Sequence, residues 1–212
     1  ELYRTESPQQ VIDTIPTLLS TTQKDLAKSL EVAFVVVAVK FGRTVIGKLP
    51  TQRIPKEFVL AEVEQDARLY LSEVANQKIA NIHATTARRV SEAVREQMES
   101  GAPLDEIAKT INREFSDRER LKMIAETETT AASNLGAQRG AAHSGFESKK
   151  RWITELDSSV REIHGDAHGQ EKKMEEPYEV GGESLRFPGD SASASARNVI
   201  NCRCTESYVI VN

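Results

Sequence analysis

Apolar positions return every three to four residues over one long stretch of the chain. From about Lys56 to Ser100, Val63, Ala67, Leu71, Val74, Ile82, Val90, Val94 and Met98 recur at helical spacing, with Glu, Gln, Arg and Lys between them. That pattern lays one apolar stripe along an amphipathic helix. Roughly 40 residues of helix reach about 60 Å, so the stripe is expected to pack along a partner helix or another subunit. Gly101-Ala102-Pro103 ends it, and Pro103 suits the first position of the next helix. That helix carries Leu104, Ile107, Ala108, Ile111 and Phe115 on one face, with Asp105 and Glu106 complementing the dipole of its first turn. A third helix follows, opened by an S-x-x-E capping box at Ser116 and Glu119. Its inner face is expected at Leu121, Ile124, Ala125, Ala132 and Leu135. Its later part is rich in small residues, Ala131, Ser133, Gly136, Ala137, Gly140 and Ala141, which let a neighbouring backbone come close.

Past Gly145 the period changes. Lys150–Leu156 alternates around Trp152 and reads as a strand, followed by a turn at Asp157-Ser158-Ser159 and a short helical turn within Val160–His168. Gly181-Gly182 and Pro188-Gly189-Asp190 punctuate a long loop, and Ser191–Ser195 is low in complexity and expected to be mobile. Thr205–Val211 is β-rich and pairs most simply with the Trp152 strand. Before Lys56 the pattern says less. Ser20-Thr21-Thr22 would cap a helix through Leu26 and Leu30, and Pro50 and Pro55 bracket a linker. Val32–Val39 fits either a buried strand or a buried helix. The fold class expected is α+β, with long amphipathic helices in the N-terminal part and a small mixed α/β C-terminal domain. The divisions are an N-terminal arm over 1–55 that could serve for docking, a helical region over 56–145 and the small domain over 146–212.

Composition narrows the functions. The net charge is −4 across 212 residues, which argues against a protein that coats DNA through bulk electrostatics. Lys149-Lys150-Arg151, with Arg139 upstream, is a short basic cluster and reads as a solvated segment beside a strand. Only two cysteines occur, Cys202 and Cys204, too close for an unstrained bridge, so a reducing compartment is expected. Residues 1–20 lack the basic and apolar segments of a signal peptide, and the chain starts at Glu1, as a fragment or processed form would. The longest apolar run, Val32–Val39, is too short to span a bilayer.

The residues with metal chemistry are His164, His168, Cys202 and Cys204. An H-x-x-x-H spacing places both imidazoles on one helical face, and two nitrogens with two thiolates complete a zinc tetrahedron. Against this, C-x-C is tighter than the usual ligand spacing. The same residues also suit a turn histidine and two small buried thiols. Asp157, Glu155, Glu162 and Arg161 read as surface pairs. Glu126 and Glu128 do not share a helix face and form no paired site by themselves. No phosphate-binding loop, dinucleotide glycine motif, G-x-S-x-G or H-E-x-x-H is present.

Taken in order, Ala125-Glu126-Thr127-Glu128-Thr129, Asn134, Gly145, Lys150-Arg151-Trp152-Ile153-Thr154, Asp157, Val160-Arg161, His164, Gly169, Phe187-Pro188-Gly189-Asp190 and Asn201-Cys202-Arg203-Cys204 form a recognisable series. It resembles the phage Mu F-like minor head protein family, also called the SPP1-type head morphogenesis family, over about residues 60–210. The resemblance implies a low-copy structural protein of a tailed phage or prophage, not an enzyme. Such a protein acts in head morphogenesis, bound to the portal protein or the major capsid protein, at the head interior or portal vertex, in host cytoplasm during assembly. It would affect DNA packaging or ejection through transient contact with packaged DNA, and could self-associate through the long helix. Glu126, Trp152, Asp157, Arg161, His164, Gly169, Asn201, Cys202, Arg203 and Cys204 fall on the family motif. The competing readings are a metal-dependent hydrolase or nuclease acting on phage DNA, and a DNA-binding packaging accessory.

Overall fold

A computed structural model describes residues 23–49 and 53–211. The expected cap at Ser20-Thr21-Thr22, Pro50 and most of the N-terminal arm lie outside the described residues. The fold is α+β. Its elements are α1 (Gln23–Ile46), α2 (Lys56–Glu99), α3 (Leu104–Phe115), α4 (Arg118–Ala142), β1 (Ser148–Ile153), α5 (Glu162–Asp166), β2 (Glu171–Lys173), β3 (Tyr178–Val180), β4 (Glu183–Leu185), α6 (Ala196–Val199) and β5 (Thr205–Ile210). They resolve into two compact units. One holds Ala75–Leu121 with the described residues up to Leu30, the other Glu31–Val74 with the chain from Lys122 onward.

In the first unit, Val90 and Val94 of α2 are buried against Ile107 and Ile111 of α3, with Ala87 and Met98 beside them. Ala108 and Phe115, expected on the inner face of α3, are exposed. Gly101 ends α2 in the left-handed region at φ 73°, and the N–H of Ala102 returns to the carbonyl of Gln97 at 2.9 Å, a Schellman closure. The cap of α4 is Asp117, not Ser116: Asp117 Oδ1 accepts the N–H of Arg120 at 3.2 Å. Ser116 is taken up by the end of α3, where its hydroxyl donates to the Asn112 carbonyl at 2.5 Å.

In the second unit, the Val32–Val39 run is helical. Phe34, Val35 and Ala38 turn inward and meet Ala67, Tyr70, Leu71 and Val74 of α2 and Ala131, Ala132 and Leu135 of α4. Burial on two helices overrides the weak helix preference of β-branched residues. The long apolar stripe of α2 therefore serves two cores, and this chain's own helices cover its buried members. The inner face of α4 departs from expectation: Leu121 and Ala125 are exposed, while Thr127, Asn134 and Gln138 are buried. Its small residues meet α1 directly. A β-carbon on Gly140 would fall 2.9 Å from the Cα of Gly42.

The remainder of this unit is a three-stranded antiparallel sheet, β2-β1-β5, and a β3-β4 hairpin. Trp152 pairs with Glu206 across β1 and β5, as expected for the last strand. Strand β1 starts and ends earlier than its sequence pattern suggested. Lys150, read as solvated, is 1% exposed. Its Nζ donates to the carbonyl of Arg186 at 2.7 Å and lies 4.9 Å from the centre of the Tyr178 ring. Ser191–Ser195 is tied in place: Tyr70 Oη accepts the N–H of Ser191 at 3.0 Å, and the buried Asp190 carboxylate accepts the Ala192 N–H and the Ser193 hydroxyl. Among the described residues no helix is long and apolar enough to cross a membrane.

Candidate metal centre

His164 lies within α5, and its side chain is buried in the core of the C-terminal sheet region. Trp152, Ala167, Tyr178, Val180, Leu185, Cys202 and Cys204 make up that core. The indole of Trp152 meets the imidazole edge-on, with centroids 5.8 Å apart, and meets Tyr178 at 5.2 Å. Both cysteines come from the short segment between α6 and β5. Asn201 opens it in the left-handed region, at φ 58°, and its N–H donates to the Thr127 hydroxyl of α4 at 3.0 Å. Asparagine is one of the few side chains that accept this backbone without large strain. Along the segment Cys202 and Cys204 are buried while Arg203 is exposed. Alternation of an extended chain thus puts both sulfurs on one side, which is how a C-x-C pair can converge on one point.

The imidazole orientation is set by its far side. Asn198 donates its amide N–H groups to the Val180 carbonyl at 3.2 Å and Glu183 Oε2 at 2.6 Å. Its oxygen then faces His164 Nε2 at 3.3 Å. An amide oxygen can only accept, so Nε2 carries the hydrogen and the Nδ1 lone pair points the other way. Nδ1 stands 3.4 Å from Cys204 Sγ and 3.8 Å from Cys202 Sγ. The Thr154 hydroxyl lies 3.3 Å from Cys204 Sγ. The hydrogen bond between the two sulfurs pulls Cys204 toward the thiolate, helped by His164 and Thr154 and opposed by burial. The same contact, with burial, pushes the Cys202 thiol up.

His168 is not in this group. Helix α5 ends at Asp166, so the one-face relationship expected from H-x-x-x-H stops before reaching it. Its ring instead accepts the Thr154 N–H through Nδ1 at 3.1 Å. Of the four residues with metal chemistry in the sequence, His164, Cys202 and Cys204 are the ones whose donor atoms lie within 4.8 Å of one another.

Other motif residues surround this centre. Arg203 grips Asp157 through two hydrogen bonds of 2.7 and 2.9 Å, and Arg161 donates to the Ile200 carbonyl at 2.5 Å. Gly169, at φ 83°, gives its N–H to the Trp152 carbonyl at 2.9 Å. Glu126 stands 3.8 Å from Lys122 on the surface of α4. A cavity of about 430 Å³ opens between Glu126, Thr129 and Thr130 of α4 and Asn201-Cys202-Arg203.

Sequence reasoning missed a second polar cluster. Asn134 donates to the carbonyls of Pro188 and Cys204, both at 3.0 Å, and accepts the Thr205 hydroxyl at 3.0 Å. One turn on, Gln138 donates to the Arg186 carbonyl at 2.7 Å and to Glu206 at 3.1 Å. Burial pushes the Glu206 carboxyl up to about 7, against the pull of Lys150, Tyr208, Tyr178 and Gln138. The sequence signals were the place of Asn134 in the motif series and two amides four residues apart on a helix face otherwise lined by small residues.

Three comparisons bear on this arrangement. Residues 88–207 match the family described as Phage Mu protein F like protein. A stretch of 115 residues is 32% identical to the NAD(+)–arginine ADP-ribosyltransferase EFV of Enterococcus faecalis, covering 52% of this chain and 23% of that protein. Over 141 residues the chain is 30% identical to the uncharacterized protein YqbB of Bacillus subtilis, covering 64% of this chain and 46% of that one. The chain thus spans less than half the length of these curated relatives. No solved structure matches it. The matched span runs from the last third of α2 into β5 and takes in the whole His164–Cys202–Cys204 group and its supports; the chain belongs to the Phage Mu protein F like family.

Proposed function

We propose that this protein is a phage minor head protein acting in head morphogenesis, bound to the portal protein or the major capsid protein. It would sit at the portal vertex or head interior, entering from the host cytoplasm during assembly, and affect DNA packaging or ejection. The observation that carries the reading is membership of the Mu F-like family over 88–207. The use made of the motif supports it. Trp152, His164, Cys202 and Cys204 are buried inside the domain, as in an interaction module. The exposed Phe58 and Leu69 on α2 offer apolar contacts for a second copy or another head protein.

The test is co-expression of the full chain with the portal and major capsid proteins of the same phage, followed by size-exclusion chromatography. Co-elution with either supports assembly. Elution of the chain alone from both overturns it. Cleavage of phage DNA by the purified chain, lost in His164→Ala, would replace it with the hydrolase reading.

A further inference from the structure

We propose that His164, Cys202 and Cys204 bind a zinc ion that clasps the C-terminal sheet region together. The inference stands apart from the assembly reading and rests on geometry. Zinc holds cysteine sulfur at about 2.3 Å and histidine nitrogen at about 2.0–2.1 Å in a tetrahedron. A sulfur and a nitrogen sharing one ion therefore stand roughly 3.6 Å apart. His164 Nδ1 is 3.4 and 3.8 Å from the two sulfurs, on either side of that value. The Nδ1 lone pair faces both sulfurs, and one cation would satisfy all three atoms.

The support behind the imidazole fits the same reading. A metal-bound histidine commonly donates its other ring N–H to an oxygen that fixes tautomer and orientation. Asn198 Oδ1 fills that role, itself locked by Val180 and Glu183. Charge fits as well. Two thiolates and a neutral imidazole balance a divalent ion, so the loaded site is neutral, as residues 2–3% exposed require. Loading releases the thiol protons to solvent. Three protein donors leave one tetrahedral position to an oxygen from outside the chain.

The domain also has use for such a clasp. Strands β2, β3 and β4 are three residues each, and a core this small gains much from a cross-link between segments distant in sequence. The ion would join α5 to the segment before β5.

The experiment is elemental analysis of the full chain, purified reduced and without chelator, beside Cys202→Ser, Cys204→Ser and His168→Ala. One zinc per chain is expected in the wild type and His168→Ala, with at least a tenfold loss in each cysteine variant. Because a cysteine variant could fail to fold, two readouts use the wild type alone. Cobalt exchanged for zinc should show thiolate-to-metal absorption in the near ultraviolet. Chelation should lower the thermal midpoint seen by Trp152 fluorescence, and added zinc should restore it. The proposal is overturned if zinc-supplied wild type carries no zinc and gives no cobalt–thiolate band. It is also overturned if both cysteine variants keep zinc, if His168→Ala loses it, or if fresh protein has Cys202 and Cys204 joined as a disulfide.

Discussion

A β-carbon on Gly136 would fall inside the van der Waals shell of the Ala38 carbonyl oxygen. Helices α1 and α4 meet there backbone to backbone. Gly136→Ala should therefore destabilise the protein by about 1–3 kcal/mol, the usual cost of forcing an extra carbon into a filled interior, despite alanine's better helix propensity. Gly165→Ala is the contrasting case, since its nearest neighbour would be Val160 Cγ1 at 3.9 Å. It should be neutral or stabilising by up to ~1 kcal/mol. Urea denaturation of the two variants checks both signs.

Asp190 is fully buried, and Arg186 meets its carboxylate through Nε at 2.8 Å and Nη2 at 3.1 Å. Burial opposes its charge, but Arg186 and Ser193 outweigh that and hold it below the usual carboxylate range. Its contribution is present above the ordinary aspartate value and is lost as pH falls through the lowered one. Asp190→Asn should cost about 2–3 kcal/mol, less than a wholly buried pair, because Arg186 can turn to solvent. The loss should shrink in acid, which chemical denaturation at two pH values reads.

Glu206 runs the other way. Its folded value is raised to about 7 by burial, so the folded chain holds a proton that the unfolded chain gives up near the ordinary value. The stabilisation is complete below that ordinary value and disappears as pH climbs through about 7. Lys150, Tyr178, Tyr208 and Gln138 face the carboxyl and moderate the change. Relative to Glu206→Gln, the wild type should lose on the order of 3 kcal/mol between pH 4 and pH 8. Parallel stability curves for the two proteins would contradict this.

Trp152 is the chain's only tryptophan and lies edge-on to His164, which makes its fluorescence a reporter of this core. His164→Ala should remove about 2–4 kcal/mol by leaving a cavity and stranding the Asn198 oxygen and the thiols. The fluorescence midpoint should fall in step. An unchanged midpoint would show that the imidazole is not what holds the core together.

What was legible in the sequence follows from how each part is encoded. Helix α2 shows itself because 44 residues give the apolar period many chances to repeat. The Val32–Val39 run was ambiguous because its helical state depends on α2 and α4, not on local preference. Strands β2, β3 and β4 are too short to carry a period. The candidate metal ligands stood out by chemical type, but His168 was included because the end of α5 at Asp166 leaves no mark in composition. Lys150, Asn134, Gln138 and Glu206 were invisible as interior residues. Polarity alone reads as solvent, and their partners lie far along the chain.

The pairing of β1 with β5 also carries a consequence for the order of events at the ribosome. Trp152 waits for Glu206, and Asn134 for Thr205. At roughly 5–20 residues per second, α4 and β1 spend several seconds made but uncompleted, with polar groups destined for the interior still in water. The Asn201–Cys204 turn and β5 are made after all of their partners, and β5 closes these contacts together. Folding of this region is therefore set to finish in a single late step, and a nascent chain halted before Thr205 would expose the hydrogen-bonding edge of β1 to whatever strand is nearby.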